Sequence, residues 1–471
     1  VTGQGIDQFK QALTEAASRI AEKDQSQYFR LPIDRSFVMR GFGTVVTGTL
    51  LAGSVVPEQE VEAYPGGQRL RIRGVQVHGQ PASKATAGQR TALNITGAEQ
   101  AELRRGMMLA DPGRFRVTRE VDCTFELLAA AKPLKHGAPV HFHAGTAETL
   151  AHVYTLESTE GVKPGTRSFV RFVLSEPLLL LPGDRFIVRM FSPVVTIGGG
   201  VVLDIDRPRR LRRQQAVDRL TTLAEGGLPQ RVALLVKESA FGMSLQDLVA
   251  RTGARAEAIE KAVSNRITAI REPQPWFVNP DWIRSTVQRW RSLLAAFHRG
   301  NPLAPGMPRE ELRSRELPDA PPFLFETLLA ADKEIVRSGE VLRLATHKLA
   351  LKQDEEEALS RIETAFERGG LAVPSMQEVL AASGVEPGRA RSLLQILLRE
   401  RKLVKIGDEL VYHQSALNTL KSLLAPKKGQ HFGVPEFKEW TGVSRKYAIP
   451  LLEHLDRERI TRREGDSRVI L

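Results

Sequence analysis

The C-terminal part of this chain contains an internal repeat, and this repeat limits the possible folds more than any other feature. Seven residues recur at a constant offset of 58 positions, as Gly384/Gly442, Val385/Val443, Leu393/Leu451, Leu394/Leu452, Leu397/Leu455, Gly407/Gly465 and Val411/Val469. Glycines and apolar residues that keep one register mark the turns and core positions of a repeated unit. The fold must therefore include at least two copies of one small module.

The last copy, residues 432–471, has the sequence pattern of a winged helix. Val434, Phe437 and Trp440 have the spacing of an amphipathic helix, and Ser444 is suited to cap a second helix. Two short strands that turn at residues 464–466 follow. Four apolar residues of the second helix are expected to face inward: Ile449, Leu451, Leu452 and Leu455.

Basic residues of this copy lie at the two places where a winged helix meets a nucleic acid. Arg445, Lys446 and Tyr447 occupy the first turn of the second helix, which in such folds contacts a groove or an unstacked base. In the preceding copy, Arg389 and Arg391 lie in the equivalent helix and are secondary candidates for contact with a nucleic acid. The hairpin, or wing, adds three arginines that suit phosphate contacts: Arg462, Arg463 and Arg468. The alternative is a winged helix that only packs and whose surface is merely solvated.

Two looser copies bring the number of winged helices to four. We place them at residues 209–280, 281–348, 349–413 and 414–471, and we expect each to bury its own small core. An isolated fragment of residues 416–471 is accordingly expected to fold and to bind a nucleic acid.

The net charge of +12 is concentrated in the same part of the chain. Through residue 206 the chain has 23 Lys and Arg against 21 Asp and Glu, whereas the remainder has 44 against 34. This excess favours a polyanionic partner for the repeats. Charge alone does not separate RNA from DNA or from a membrane surface.

Cysteine and histidine usage argues against a structural metal site. The single cysteine, Cys123, allows neither an internal disulfide nor a thiolate cluster, and it suits a reducing cytosol. His141 and His143 form an H-x-H pair on a predicted strand, but no third ligand stands nearby. We interpret the pair as a strand-surface feature and expect no metal site. The apolar runs are too short for a membrane span and no signal peptide is recognisable, so we expect a cytoplasmic protein.

The N-terminal half has short, β-branched, alternating strands separated by glycines. This pattern predicts two consecutive antiparallel β-barrels, at residues 27–113 and 114–208. Gly48 is expected to form a bulge or corner. The Gly41-x-Gly43 turn is not a phosphate loop, because a strand and not a helix follows it.

Several motifs of this half resemble a known superfamily. They are FRLPIDRSFVMRGFGTVVTGTLLAG (29–53), AGQRTALNITG (87–97), RRGMMLADPG (104–113) and PLLLLPGDRFIVR (177–189). These motifs resemble the second and third domains of translational GTPases of the elongation factor Tu type. Together with four winged helices that end in TGVSRKYAIPLLEHLDRERITRREGD, they make the chain similar to the bacterial selenocysteine-specific elongation factors, SelB.

The resemblance implies a GTPase domain of which little is present in this sequence. Residues 1–26 resemble the end of that domain, with its last helix at residues 6–21. The 471 residues include neither a G-x-x-x-x-G-K-[S/T] loop nor an Asn-Lys-x-Asp motif. We therefore expect a fragment of a longer protein, with a natural variant that lacks the GTPase domain as the alternative. In either case we expect no catalytic residues and no cofactor in this chain. GTP and Mg²⁺ belong to the full-length family.

The resemblance also implies partners and a binding pocket. Family members bind selenocysteinyl-tRNA, a messenger RNA hairpin (SECIS) and the ribosome, and we expect a monomer. The selenocysteine pocket lies in the first barrel, where the matching residues are Asp34, Arg35 and Arg90, with His78 as a further candidate. An ordinary surface ion pair is the alternative reading of these residues. The second barrel is expected to bind the acceptor and T arms of the tRNA.

Two other functions fit parts of the sequence. Tandem winged helices also occur in DNA-binding transcriptional regulators, in which the barrels would form an effector-binding module. The close match of the barrel motifs to translation factors disfavours this alternative. A purely structural ribosome-associated scaffold explains neither the basic recognition turn nor the basic pocket.

Overall fold

The computed structural model describes residues 3–19, 25–41, 43–206, 211–263, 266–347, 351, 353–407 and 409–471. The chain divides into two compact units, Val1–Arg284 and Ser285–Leu471. Some positions used in our sequence-based boundaries lie outside the described residues: the helix end at 21, the turn residue 42 and the domain limits at 208 and 348. The domain boundaries therefore stay predictions.

The chain begins with helix α1 (Ile6–Ser18), which has no buried residue. Its apolar residues Ile6, Phe9 and Leu13 are all exposed. In the part that the structure describes, no helix combines the length and the apolar composition needed to cross a bilayer.

The first barrel has ten antiparallel strands. They are β1 (Arg30–Pro32), β2 (Arg35–Met39), β3 (Gly43–Thr49), β4 (Ser54–Val55), β5 (Glu60–Tyr64), β6 (Gln68–Val77), β7 (Gln80–Pro81), β8 (Ala85–Thr86), β9 (Arg90–Thr96) and β10 (Met108–Ala110). The main sheet runs β1-β10-β5-β6-β9-β3-β2, with β7 on β6 and a separate β4-β8 pair. The sheet curls until Arg30 forms an isolated bridge with Ala52, just beyond β3. Its inner face buries a core that includes Val46, Ile72 and Leu93.

Gly48 permits a close approach of two strands and is not a bulge, so the bulge that we gave as one of two possibilities at this position was wrong. Gly48 pairs with Thr91 in unbroken register. A Cβ at this position would overlap the backbone carbonyl of Pro32 on β1 and the side chain of Leu31. Glycine is needed because β1 crosses β3 here.

The second barrel is closed and has six strands in the order β11-β14-β13-β12-β15-β16. They are β11 (Thr118–Leu127), β12 (Ala138–Ala144), β13 (Ala147–Thr155), β14 (Arg167–Leu178), β15 (Arg185–Met190) and β16 (Thr196–Asp204). Its core is centred on four phenylalanines that pack ring against ring: Phe125, Phe142, Phe172 and Phe186.

The remainder forms four winged helices in tandem, as the sequence predicts. Helix α2 (Arg213–Glu225) leads into the first, which has α3 (Leu228–Glu238), β17 (Met243–Ser244), α4 (Leu245–Thr252), α5 (Ala256–Ala262), β18 (Thr268–Ile270) and β19 (Trp276–Val278). The second has α6 (Pro280–Gly300), β20 (Met307–Pro308), α7 (Arg309–Glu316), α8 (Pro322–Ala331), β21 (Ile335–Ser338) and β22 (Val341–Leu344).

The third and fourth winged helices contain the 58-residue repeat. The third has α9 (Gln353–Gly369), α10 (Met376–Ala381), α11 (Pro387–Arg399), β23 (Leu403–Ile406) and β24 (Leu410–His413). The fourth has α12 (Gln414–Leu424), β25 (His431–Phe432), α13 (Val434–Thr441), α14 (Arg445–Arg457), β26 (Thr461–Glu464) and β27 (Ser467–Ile470).

The repeated residues play the same roles in both copies. Gly384 and Gly442 have positive φ angles of 86° and 68°, in the turn between the two helices. Gly407 and Gly465, at the wing turns, have φ angles of 70° and 65°. The repeated leucines of α11 and α14 are buried. Ile449 is 38 % exposed, so our prediction that it faces inward was wrong.

The winged helices do not all have cores of their own, contrary to our expectation. The core of the first is continuous with barrel residues that include Tyr28, Phe115 and Leu181. The fourth shares its core with three residues of the third: Val373, Ile406 and Tyr412. A fragment limited to residues 416–471 would expose part of this shared core to water. Residues 351–471 are the better unit for isolation.

Candidate functional site

The register of the first barrel brings the predicted pocket residues together. Arg35 pairs with Thr47, and Arg90 pairs with Thr49. Paired residues, and residues two apart on a strand, lie on one face of a sheet. His78 directly follows β6, and its backbone N–H donates to the carbonyl of Arg90 at 3.4 Å. Arg35, Arg90 and His78 therefore lie in neighbouring rows on the outer face.

Asp34 is held between Thr47 and Arg90. Its Oδ1 accepts a hydrogen bond of 2.6 Å from Thr47 Oγ1. The backbone N–H of Asp34 also donates to the carbonyl of Thr47 at 2.9 Å. The second carboxylate oxygen pairs with the guanidinium of Arg90. The Asp34 side chain is 14 % exposed and that of Arg90 is 48 % exposed. The barrel thus fixes the carboxylate, which orients a guanidinium that stays open to solvent.

The other two pocket candidates are exposed. Arg35 makes no ion pair within the described residues, and His78 has a φ of 51° in the turn after β6. The guanidinium of Arg90, oriented by Asp34 and half exposed, can donate charge-assisted hydrogen bonds to a small anion. Thr47 was missed by the sequence analysis, because only the strand register distinguishes it from the other threonines of its strand.

The first turn of α14 presents two free cations. Arg445 and Lys446 are exposed, and neither has a carboxylate partner in the described part of the chain. Lys446 Nζ lies 5.7 Å from the ring centroid of Tyr447. Ser444 occupies the N-cap position, but its side chain makes no capping hydrogen bond. Tyr447 differs from its neighbours, since it is half-buried and its hydroxyl donates to the carbonyl of Val373 at 3.3 Å.

The three wing arginines are not equivalent. Arg468 is 13 % exposed, and its Nε donates to Asp456 Oδ2 at 2.8 Å. Arg462 forms an ion pair with Glu464. Arg463 is exposed, and its Nε donates only to the carbonyl of Gly465, at 3.1 Å. Within the described residues, Arg463 is the wing guanidinium without a carboxylate partner.

The equivalent helix of the third winged helix is partly neutralised. Arg389 pairs with Glu355 at 2.6 Å and with Asp354 at 3.0 Å. Arg391 is exposed and makes no such pair in the described part. Residues 353–413 include 8 Lys and Arg against 11 Asp and Glu, whereas residues 414–471 include 11 against 7. The basic surface therefore belongs to the fourth winged helix and not to the third.

His141 and His143 lie side by side on β12, opposite Glu148 of β13. His141 Nδ1 is 3.1 Å from Glu148 Oε1, and His143 Nδ1 is 3.9 Å from Glu148 Oε2. Among the described residues, no group of three or more His, Cys, Asp or Glu side chains is arranged to hold a metal ion.

Three family models match separate segments of the chain. Two of them are described as elongation factor SelB, winged helix, and they match residues 291–344 and 425–470. The model described as selenocysteine-specific elongation factor, beta-barrel domain, matches residues 121–209.

Several relatives that match over nearly the whole chain are named selenocysteine-specific elongation factors. The chain is 33 % identical over 482 residues to a selenocysteine-specific elongation factor of Desulfomicrobium baculatum, with all of this chain and 76 % of the relative covered. Proteins of the same name from Haemophilus influenzae and Escherichia coli are each 26 % identical and are covered to 75 % and 74 %. The chain covers about three-quarters of each relative.

The fold is also similar to a solved structure. The crystal structure of a bacterial selenocysteine-specific elongation factor, EF-Sec, matches with a TM-score of 0.64 and 22 % identity. The match covers all of this chain and 74 % of that one. At this identity the likeness supports the barrels and the winged-helix array as a fold.

Proposed function

This chain belongs to the family of selenocysteine-specific elongation factors, and on that premise we propose that it binds selenocysteinyl-tRNA with its barrels and a messenger RNA hairpin with its fourth winged helix. In this way it would direct selenocysteine to UGA codons on the ribosome. The chain would act in the cytosol as a monomer. GTP hydrolysis would depend on a GTPase domain with the motifs that the 471 residues lack.

The observation that carries the tRNA half of the proposal is the Asp34–Arg90 pair on the outer face of the first barrel. A selenol is anionic at neutral pH, whereas the hydroxyl of serine is not, so a discriminating site needs fixed positive charge. Charge-assisted hydrogen bonds from a guanidinium supply this preference. Asp34 would hold Arg90 in place, and Arg35 would add a second cation on the same face.

The RNA half rests on the free cations of the fourth winged helix. RNA is read mainly at loops and bulges, with cations on the phosphate backbone. Within the described residues, Arg445 and Lys446 offer two charges without carboxylate partners at the start of a helix, and Arg463 adds a third from the wing. The remaining named cations, Arg462 and Arg468, have carboxylate partners.

Competition between nucleic acids at one salt concentration tests the proposal. The 471-residue chain would be titrated against three fluorescent probes. These are the stem-loop that follows an in-frame UGA codon in a selenoprotein message of the source organism, the same stem with a scrambled loop, and a DNA duplex. We expect the first to bind tightest, and the logarithm of affinity to fall linearly with the logarithm of salt concentration. Equal or tighter binding of the duplex would favour the transcriptional-regulator alternative.

A further inference from the structure

Tyr447 occupies the RNA-facing turn of α14 and also the joint between the third and fourth winged helices. Its neighbours Arg445 and Lys446 are exposed. Its own hydroxyl donates to the carbonyl of Val373, which precedes α10 in the third winged helix, at 3.3 Å. Its ring packs against the shared core. One side chain therefore connects the candidate RNA-reading turn to a different module.

The joint is extensive and apolar. Val373, Ile406 and Tyr412 of the third winged helix belong to the same buried cluster as Leu451 and Leu455 of α14. Helix α14 also lies against strand β23. Tyr412 is completely buried, and its hydroxyl has no hydrogen-bond partner within the described residues. Of the two tyrosine hydroxyls in the joint, that of Tyr447 is the one that bonds across it.

The third winged helix has no net positive charge over residues 353–413. Arg389 is paired with Glu355 and Asp354, and residues 353–413 have three more acidic than basic residues. A module of this charge is poorly suited to read a phosphate backbone. Its contact with α14 points to another role.

We propose that Tyr447 is a positioning residue and that the third winged helix is the rigid base against which it holds the RNA-reading turn. The inference rests on the proposed function and deepens it. Its hydroxyl is anchored to Val373 and its ring centroid lies 5.7 Å from Lys446 Nζ, so Tyr447 fixes the direction of Arg445 and Lys446, the two cations that precede it. It does not stack on an RNA base. Recognition of the hairpin then depends on a module whose own net charge is negative.

Two matched tyrosine-to-phenylalanine changes distinguish the role of the Tyr447 hydroxyl from that of its ring. Tyr447→Phe keeps the ring and removes the hydrogen bond to Val373, whereas Tyr412→Phe removes a hydroxyl that has no partner in the described residues. The probe is the fluorescent UGA-proximal stem-loop described above, titrated with the whole chain. Tyr447→Phe is expected to weaken binding about two- to tenfold, the range for one hydrogen bond. Tyr412→Phe should bind as the wild type does.

A double-mutant cycle with Arg445 tests positioning directly, because a merely stabilising residue would not be coupled to an RNA contact. We expect Arg445→Ala to cost less affinity in the Tyr447→Phe background than in the wild type. Hydrogen exchange in the free chain should be faster in the first turn of α14 for Tyr447→Phe, and unchanged for Tyr412→Phe.

Three results would overturn the inference. In the first, Tyr447→Phe binds the hairpin with wild-type affinity, while Tyr447→Ala loses affinity only for the hairpin with the cognate loop. Tyr447 would then be a base-stacking residue. In the second, the effects of Tyr447→Phe and Arg445→Ala on affinity are additive, and Tyr447→Phe otherwise lowers only the unfolding midpoint. Tyr447 would then have a purely structural role. A wild-type chain that binds no hairpin would remove the proposed function as well, whereas the first two results remove this inference alone.

Discussion

Arg251 of the first winged helix donates two hydrogen bonds to Asp204 at the end of the second barrel, with Nη2 2.9 Å from Oδ2 and Nε 3.1 Å from Oδ1. Asp204 is 2 % exposed and also pairs with Arg219 of α2. Arg219 in turn donates to Glu238 at 2.8 Å. Burial alone would raise the pKa of Asp204, but the bonds and charges of Arg251 and Arg219 lower it below its ordinary value. This network fastens the first winged helix to the barrels.

Asp204→Ala is expected to destabilise the chain strongly. The change leaves Arg219 buried without one of its two carboxylate partners, and breaking a buried ion pair from one side costs roughly 3 to 5 kcal/mol. Denaturant unfolding gives the free energy of unfolding. Glu225→Gln, a carboxylate change at the exposed end of α2, is the matched control and should change it by less than about 0.5 kcal/mol. Similar values for both variants would contradict the structural role of the network.

Arg90→Ala is expected to lower the affinity for selenocysteinyl-tRNA far more than for seryl-tRNA. A lost charge-assisted hydrogen bond to an anion is worth roughly 1.5 to 3 kcal/mol, or about ten- to a hundredfold. Arg35→Ala should act in the same direction. The measurement needs a chain joined to the family's GTPase domain, with both tRNAs compared. Arg73→Ala, at an exposed position of the same barrel, should affect neither tRNA. Equal losses for the two tRNAs would make Arg90 an ordinary surface ion-pair residue.

The effects of replacing the three wing arginines should differ according to whether each guanidinium has a carboxylate partner. Arg463→Ala is expected to weaken all hairpins similarly and to make the salt slope shallower by about one unit, because Arg463 is free to contact phosphate. Arg468→Ala should mainly lower thermal stability, since it leaves Asp456 without its 2.8 Å partner. Arg462→Ala, whose guanidinium is paired with Glu464, serves as the comparison and should have the smaller effect on the slope. A common slope change in all three variants would argue against this division.

The second winged helix should become less stable in mild acid. His298 and His347 stack with ring centroids 3.6 Å apart, and His298 Nε2 accepts the N–H of Leu344 at 3.3 Å. Burial, followed by the nearby His347 and Arg343, lowers the pKa of His298 from its ordinary 6.5. Because the folded state binds this proton less readily than the unfolded state, the stabilisation is complete above pH 6.5. It is lost as the pH falls towards the folded pKa, by at most about 1.4 kcal/mol per pH unit.

Hydrogen exchange of the segment that contains the Leu344 amide checks this prediction. After correction for the intrinsic pH dependence, its protection should fall between pH 7.5 and pH 5.5 in the wild type. His298→Gln, which keeps an acceptor but cannot be protonated in this range, should show a flatter profile. Identical profiles would exclude His298 as the group responsible.

The 471-residue chain is expected not to bind GTP, because its sequence has neither a phosphate-cradling loop nor the Ser/Thr that holds magnesium. Calorimetry with a non-hydrolysable GTP analogue should give no binding heat. A micromolar or tighter isotherm would refute this expectation.

The sequence by itself determined the architecture. The 58-residue repeat specified the winged helix because its glycines adopt positive φ at the turns and its leucines fill the core, and both requirements are local. Alternation of apolar residues separated the barrels from the helical modules for the same reason. Asp34, Arg35, Arg90 and His78 were identified by resemblance to a family, while their separation in the chain said nothing about whether they meet.

Only the tertiary structure decided which charges are free. Arg445 and Arg389 both lie in the first turn of equivalent helices, yet Arg389 is neutralised by residues some 35 positions away in the chain. The hydrogen bond from the Tyr447 hydroxyl to the carbonyl of Val373, 74 positions earlier, could not be predicted from the sequence. The choice of Thr47 as the partner of Asp34 likewise depends on strand register. Ion pairs and shared cores are formed by residues distant in sequence, and the periodicity of a single segment cannot specify such contacts.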